Sequence, residues 1–414
     1  MANLKKYIPE GTKDILFEEC RSKIKIEDLI RDVYINYGYN EIISPTLEFY
    51  DVFNMENQPI PQEKMYKLFD NRGRILVLRS DMTTPIARIA ATKIKPEMYP
   101  LKLFYSQNIF RVNEVLNGKL SEFTQSGIEI IGVDSIRGDI EAIITGIEAL
   151  KRIGLRNFKI EIGDSQFFRQ LTDNLPLNME EKEQVRLFIQ NKNIAGLREF
   201  LDNNSKIIDL NALEILQRLP ELFGGKEIIT ETRELLGKSY GIKALENIER
   251  VYEVMDKLGY SKYISIDLGM VQNLNYYSGL IFRGYCMEAG DSILSGGRYD
   301  KLIENFGKKL PATGLAINVD IVVEALKTQG KTFADNKMEK IIHCNFDDLH
   351  KGYDLVMKLK EKGTKAEVSL MKKLEESFQY AEKMGVKSVI NISEQMEYKF
   401  EDNIWIKGSK IITE

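Results

Sequence analysis

Strand signals in this chain stop and then start again. They run up to Phe158, Ile160 and Ile162, give way over residues 166–258 to long charged helical stretches broken by Pro176 and Pro220, and resume at Tyr263–Leu268 (YISIDL) and Leu280–Tyr285 (LIFRGY). Strands need partners for their backbone groups, so the two sets are expected to share one sheet, with the helical stretch inserted into that domain. At 414 residues the chain exceeds a single ordinary core, and a further domain is expected.

Around the insertion the periodicities are specific. Ile26, Leu29, Ile30, Val33 and Tyr37 fall at helical spacing, with Gly38 as the stop. Tyr39–Glu48 (YNEIISPTLE) predicts a strand interrupted by Pro45, which belongs on a sheet edge or at a seam between subunits. Ile75–Leu78 and Leu101–Phe110 predict strands flanking a helix that begins near Thr84 and Pro85. Phe123–Ile131 predicts another strand, and Ile140, Ile143, Ile144, Ile147 and Leu150 predict a helix over residues 139–153. Gly296 and Gly297 read as a turn.

Polar, turn-rich residues 328–336 predict a linker. After it, Lys340–His343, Leu349–Lys362, Ala366–Ser369, Leu374–Met384 and Ser388–Ile392 alternate strand, helix, strand, helix, strand. The expected class is α+β: one domain over residues 1–327 carrying the insertion at about 166–258, then a small α/β domain over 337–414.

Apolar residues make up 43% and charged residues 29%, the balance of a soluble globular protein. A formal net charge of -4 announces no basic field for nucleic acid, although a local patch could still bind RNA. Met1 to Lys6 lead to Tyr7 and Pro9 with no apolar signal core, and no run of about 18 apolar residues follows, so a cytoplasmic protein is expected. Cys20, Cys286 and Cys344 make no paired spacing, which argues for free buried thiols over a zinc site or disulfides. His343 and His350 are the only histidines, leaving carboxylates, arginines and tyrosines to carry any chemistry.

Four stretches concentrate such groups. In Arg79–Pro85 (RSDMTTP), Asp81 with Thr83 can hold an ammonium group, and the same residues can equally cap a helix. Arg111 can pair with a carboxylate or phosphate, and strand alternation from Phe123 puts Gln125, Gly127 and Glu129 on one face, as a polar pocket or an exposed sheet surface. Asp267–Ser278 (DLGMVQNLNYYS) brings Tyr276 and Tyr277 as an aromatic wall with hydroxyl donors. Ser295–Asp300 (SGGRYD) and Ala312–Asp320 (ATGLAINVD) carry glycines that let backbone approach a ligand.

In order and spacing these stretches resemble histidyl-tRNA synthetase, a class II synthetase, across nearly the whole chain. The segment around Glu41 and Pro45 looks like the family's dimer-forming motif 1, Phe110 with Arg111 opens its motif 2, and Gly314–Ile321 falls at motif 3. The Leu-Asn-Tyr-Tyr and Ser-Gly-Gly-Arg-Tyr-Asp segments match the two signatures of the histidine branch. The resemblance implies a class II antiparallel sheet flanked by helices and a C-terminal domain like a shortened anticodon-binding domain. It also implies a histidine pocket: Asp81 and Thr83 at the α-amino group, Arg111 at the carboxylate, Glu129 at the imidazole, with Gln125, Tyr276 and Tyr277 completing it.

The ATP half departs from the family. Gln272 stands where an arginine is expected, Asn273 where a glycine is, and Ile321 where motif 3 ends on an arginine. In motif 2, Asn113 replaces a glutamate, and Glu114 and Ser121 replace basic residues, while Lys119 keeps a charge. Amino-acid activation needs fixed cations against the α-phosphate, and each lost donor costs roughly 10² to 10³ in rate, so no adenylation and no catalytic residue is expected.

The branch that matches is the regulatory subunit of ATP phosphoribosyltransferase, the first enzyme of histidine biosynthesis. Pro9–Leu16 (PEGTKDIL), Asp81 and Met82 where the synthetase has Glu-Gly, and Phe123–Ile131 look like that branch, although Gln272, Asn273, Asn275 and the Val115–Leu120 loop are unusual even there. This implies a non-catalytic chain that binds L-histidine and needs no cofactor or metal. It further implies a homodimer within a hetero-oligomer, with the short-form ATP phosphoribosyltransferase catalytic subunit as the expected partner. Two other readings use the same residues: a divergent active synthetase, and a tRNA-binding or sensing paralogue. Against tRNA, Lys358, Lys360, Lys362, Lys365, Lys372 and Lys373 are offset by Glu361, Glu367, Glu375 and Glu376, the pattern of a solvated helical face.

Overall fold

The computed structural model describes residues 4–55, 59–113, 118–173, 175–204, 210–236, 242–271, 276–333 and 338–410. The chain divides into two compact units, Met1–Thr332 and Phe333–Glu414.

The first unit is built on a nine-stranded sheet to which both sides of the insertion contribute. Its strand order is Asn40–Glu41, Leu101–Phe110, Glu122–Ile131, Ala312–Asn318, Leu294–Arg298, Leu280–Cys286, Phe158–Asp164, Ile264–Asp267 and Phe223–Gly224. Most neighbours run antiparallel; the pairs Asn40–Glu41 with Leu101–Phe110, and Phe158–Asp164 with Ile264–Asp267, are parallel. The helices Phe17–Asn36 and Ile136–Arg152 cover one face, burying Ile26, Ile30 and Tyr34 from the first and Ile143 and Ile147 from the second. They take the even positions of the central strand, such as Ile128 and Ile130, which leaves Gln125, Gly127 and Glu129 on the opposite face.

That opposite face is closed over Glu129 by the helix Thr83–Lys93. Met82, Ile86, Ala87 and Ala90 pack there with Leu103, Tyr105, Ile131, Tyr276 and Tyr299 in one apolar cluster. The described residues between 166 and 258 are mostly helical, from Ser165–Asp173 to Ile242–Lys257, and bury their own apolar residues, among them Val185, Ile189, Leu197 and Leu201.

Two expectations need correction, and one expected strand takes a sheet that the sequence left open. Tyr39–Glu48 is not one strand: Pro45 marks where the chain leaves the large sheet after Asn40–Glu41 and enters a three-stranded sheet at Leu47–Phe49. Ile75–Leu78 belongs to that smaller sheet, paired with Leu47–Phe49 and Lys67–Phe69. Gly296 and Gly297 form no turn and lie inside the strand Leu294–Arg298. A Cβ on Gly296 would meet the Gly314 carbonyl oxygen at 2.3 Å, so close packing, not a reversal, demands glycine there.

In the second unit, Lys340–His343 runs parallel to Ala366–Val368 and Ser388–Asn391. Ile341 and Ile342 enter separate apolar clusters, one including Ala381 of the helix Leu374–Met384 and the other Val356 of Leu349–Glu361. A hairpin absent from the sequence expectation, Met396–Glu401 with Ile404–Lys410, extends the sheet, its turn at Asp402 and Asn403 having φ 46° and 63°.

Candidate functional site

Glu129 is the centre of the site. It lies mid-strand, 1% exposed, opposite Leu103 on one side and Gly314 on the other. Gly314 is a glycine because a Cβ there would sit 1.8 Å from Glu129 Oε2. Thr83, the first residue of its helix, donates its hydroxyl to Glu129 Oε1 at 2.8 Å, and the Tyr299 phenol donates to Oε2. Burial raises the carboxyl, the two hydroxyl donors lower it and Asp81 raises it again; burial wins, and Glu129 is pushed up to about 8.

Asp81 lies just before the same helix, where its carboxylate accepts the Thr84 N–H at 2.7 Å and the Thr84 hydroxyl at 3.2 Å. Asp81 thus supports the helix start, as one reading of this stretch expects. Burial raises its carboxyl, opposed by those hydrogen bonds and by the Arg111 guanidinium. Arg111 is fixed by its Nε, which donates to the Ser80 carbonyl at 2.8 Å, and lies over the Phe123 ring at 5.5 Å. Its terminal nitrogens have no hydrogen-bond partner among the described residues.

Tyr276 and Tyr277 form the wall. Their rings meet edge-on with centroids 4.8 Å apart, and Tyr276 stacks on Tyr299 at 5.8 Å. Gly297 makes room for them, because a Cβ there would meet the Tyr277 ring at 2.7 Å. Gln125 shares the face but stands four residues along the strand from Glu129, roughly 13 Å between Cα positions. It is flanked in register by Gln107 and Asn318.

Two tyrosines complete the site and were not singled out from sequence. Tyr299 follows Arg298, whose guanidinium is locked to Asp139 at 2.7 Å and Asp300 at 3.2 Å, so the signature segment rigidly aims the next side chain at Glu129. Tyr105 lies opposite Gly127, its hydroxyl buried with no hydrogen-bond partner among the described residues. Alternation along Leu101–Phe110 puts Leu103 and Tyr105 on the Glu129 side and would have found it.

The positions expected to serve ATP are less visible. Gln272, Asn273, Asn275 and Glu114 lie outside the described residues. Ile321 sits in the first turn of Val319–Thr328 and offers no cation there; Asn113 donates to the Leu120 carbonyl at 2.7 Å, and Lys119 pairs with Asp291. The described residues contain no group of three or more side chains suited to a metal, and no helix long and apolar enough to cross a membrane.

Comparison with known proteins bears on this arrangement. The family model for histidyl-tRNA synthetase matches residues 11–322. A chain from Clostridium acetobutylicum, named ATP phosphoribosyltransferase regulatory subunit, is 52% identical over 94% of this chain and 96% of its own length. The chain belongs to the family of ATP phosphoribosyltransferase regulatory subunits. A regulatory subunit from Bacillus cereus is 42% identical over 98% of this chain and 96% of its own. A crystal structure from Bacillus halodurans, described as an ATP phosphoribosyltransferase regulatory subunit/histidyl-tRNA synthetase, superposes with a TM-score of 0.83 at 32% identity, covering 93% of this chain and 98% of that one. Histidyl-tRNA synthetase from Nostoc has the same fold, with a TM-score of 0.80 at 22% identity over 98% of this chain and 97% of its own. Membership in the regulatory-subunit family assigns the chain a regulatory role beside a catalytic phosphoribosyltransferase.

Proposed function

We propose that this chain binds L-histidine on the Glu129 face and, through complex formation, modulates a short-form ATP phosphoribosyltransferase catalytic subunit without supplying a catalytic residue. The observation that carries the reading is the buried Glu129 carboxyl, held by Thr83 and Tyr299 at the floor of a tyrosine-walled site. A carboxyl so placed can accept an imidazole N–H, and the gain is large because water does not compete. The roughly 13 Å from Glu129 to Gln125 accommodates an extended amino acid with a hydrogen bond at each end.

In this arrangement Arg111 meets the ligand carboxylate with its terminal nitrogens, while Asp81 and Gln125 meet the ammonium. Thr83 donates to Glu129 and retains lone pairs for an ammonium N–H, so it bridges the two ends. Tyr276 and Tyr277 enclose the ring. The absence of a cation at Ile321 favours a binding role over amino-acid activation.

A homodimer is part of the same reading. Ile43 is 77% exposed between the two edge strands on either side of Pro45, with Leu47 and Phe49 exposed just beyond it, and a two-fold contact there would cover them. The regulatory reading is tested by mixing the chain with a short-form catalytic subunit. Co-elution and a histidine-dependent change in transferase rate are expected, and substrates that weaken histidine binding must be weakened by histidine to the same factor. Separate elution with an unchanged rate contradicts it.

A further inference from the structure

The Glu129 face continues across the sheet to a cavity of about 350 Å³ lined in part by residues of the helical segment. In register, Glu129, Gly314, Gly297, Ile281 and Gly163 form one row; the next row carries Arg283 directly opposite Glu161. Those two residues and Asp267, from the adjoining strand, line the cavity floor. Lys192 reaches it from the turn after the helix Met179–Gln190, held in the left-handed region at φ 51°. Ile189 and Met270 supply apolar wall. None of the seven residues expected to bind histidine lines this space.

The lining is unusual in its charges. A cavity lined by two carboxylates, Glu161 and Asp267, and two cations, Arg283 and Lys192, is poorly suited to a purely anionic or purely cationic guest, since each would meet a like charge. The Glu161 carboxylate is partly buried and lines the space, with Arg283 opposite it in register. Burial, and then Asp267 beside it, raise Glu161 to about 7 against the pull of Arg283 and Lys192, so the carboxyl is poised to respond to a cation.

We infer that this cavity is a second small-molecule site taking a zwitterion of α-amino-acid size, its ammonium donating to Glu161 and Asp267 and its carboxylate met by Arg283 and Lys192. Opposite signs within one small guest match opposite signs on the lining, and Ile189 and Met270 accept its side chain. The site stands independently of the histidine reading, because the two share no lining residue.

The test is calorimetry on the full chain, in wild type and in Glu129→Gln, with L-valine, L-glutamine, L-glutamate and L-arginine as probes. At least one is expected to saturate below about 10 mM in both backgrounds, and its N-acetyl and amide derivatives, each lacking one charge, to bind roughly tenfold more weakly. Glu161→Gln, which keeps shape, and Arg283→Gln are expected to weaken it by a similar factor. No saturation by any probe, equal binding of the singly charged derivatives, full competition by inorganic phosphate alone, or indifference to both substitutions would overturn the proposal.

Discussion

Tyr299 and Glu129 are 170 residues apart in sequence, yet the Tyr299 phenol donates to the Glu129 carboxyl in the interior of the site. The contact ties the strand Glu122–Ile131, before the insertion, to the segment following Leu294–Arg298, after it. Folding around the insertion thus assembles the pocket, because neither half holds both the carboxyl and its second hydroxyl donor.

Replacing Tyr299 by Phe keeps the ring stacked on Tyr276 and removes the donor. One hydrogen bond to a buried charged group is worth about 1.5–3 kcal/mol, and the remaining Thr83 bond offsets part of the loss. Histidine affinity is expected to fall roughly three- to thirtyfold, and the melting temperature to fall as well, because the bond is already made in the ligand-free fold. Calorimetry and a thermal melt on the same sample check both halves.

Gly314→Ala should be more damaging than its one added carbon suggests. The new Cβ would stand 1.8 Å from Glu129 Oε2 and 2.4 Å from the Ile128 carbonyl, so either the carboxyl or the strand has to move. Overpacking of this kind costs about 1–3 kcal/mol. A lowered melting temperature together with lost histidine binding is expected.

Histidine binding should exchange protons in a pH-dependent sense. Free Glu129 titrates at about 8, and free imidazole at about 6.5; the bound pair shares a single proton between carboxylate and imidazolium. Near pH 5.5 both free partners are protonated, so binding releases close to one proton. Near pH 8.5 the imidazole is neutral and Glu129 mostly ionised, so binding takes up most of one proton, and the exchange crosses zero a little above pH 7. Calorimetry in buffers of different ionisation enthalpy measures this count at each pH, and a sign that does not reverse contradicts a Glu129–imidazole pair.

The chain should not activate histidine. With Ile321 where a triphosphate-binding cation is expected, histidine-dependent exchange of pyrophosphate into ATP is expected to lie more than about a thousandfold below an active synthetase. Exchange above that level revives the enzymatic reading.

The sequence carried the fold where periodicity was strong. Leu101–Phe110 and Leu374–Met384 coincide with their expected spans, and the helical character of residues 166–258 and the shared sheet were legible from where strand signals stopped and resumed. Less legible was sheet membership: Ile75–Leu78 reads as a strand in any sheet, and only the break at Pro45 hints that its partner is Leu47–Phe49. Gly296 and Gly297 misled because a glycine pair serves both reversal and close approach, and only the packed neighbours distinguish them. Met396–Glu401 and Ile404–Lys410 are largely exposed, so they lack the apolar alternation that marks a half-buried strand. In the site, alternation placed Glu129 with Gln125 on one face, but Thr83 bonding to Glu129, and Tyr299 across from it, are long-range contacts that no local pattern encodes.

The most direct test of the account is L-histidine titrated calorimetrically into wild type and Glu129→Gln. The substitution keeps the shape of the side chain, and losing one charge-assisted bond at a buried acceptor should weaken binding by roughly 1.5–3 kcal/mol, about ten- to a hundredfold or more. Saturable binding by wild type and that loss in the variant are the predicted result; equal affinities, or no binding by wild type even with the catalytic subunit present, would contradict it.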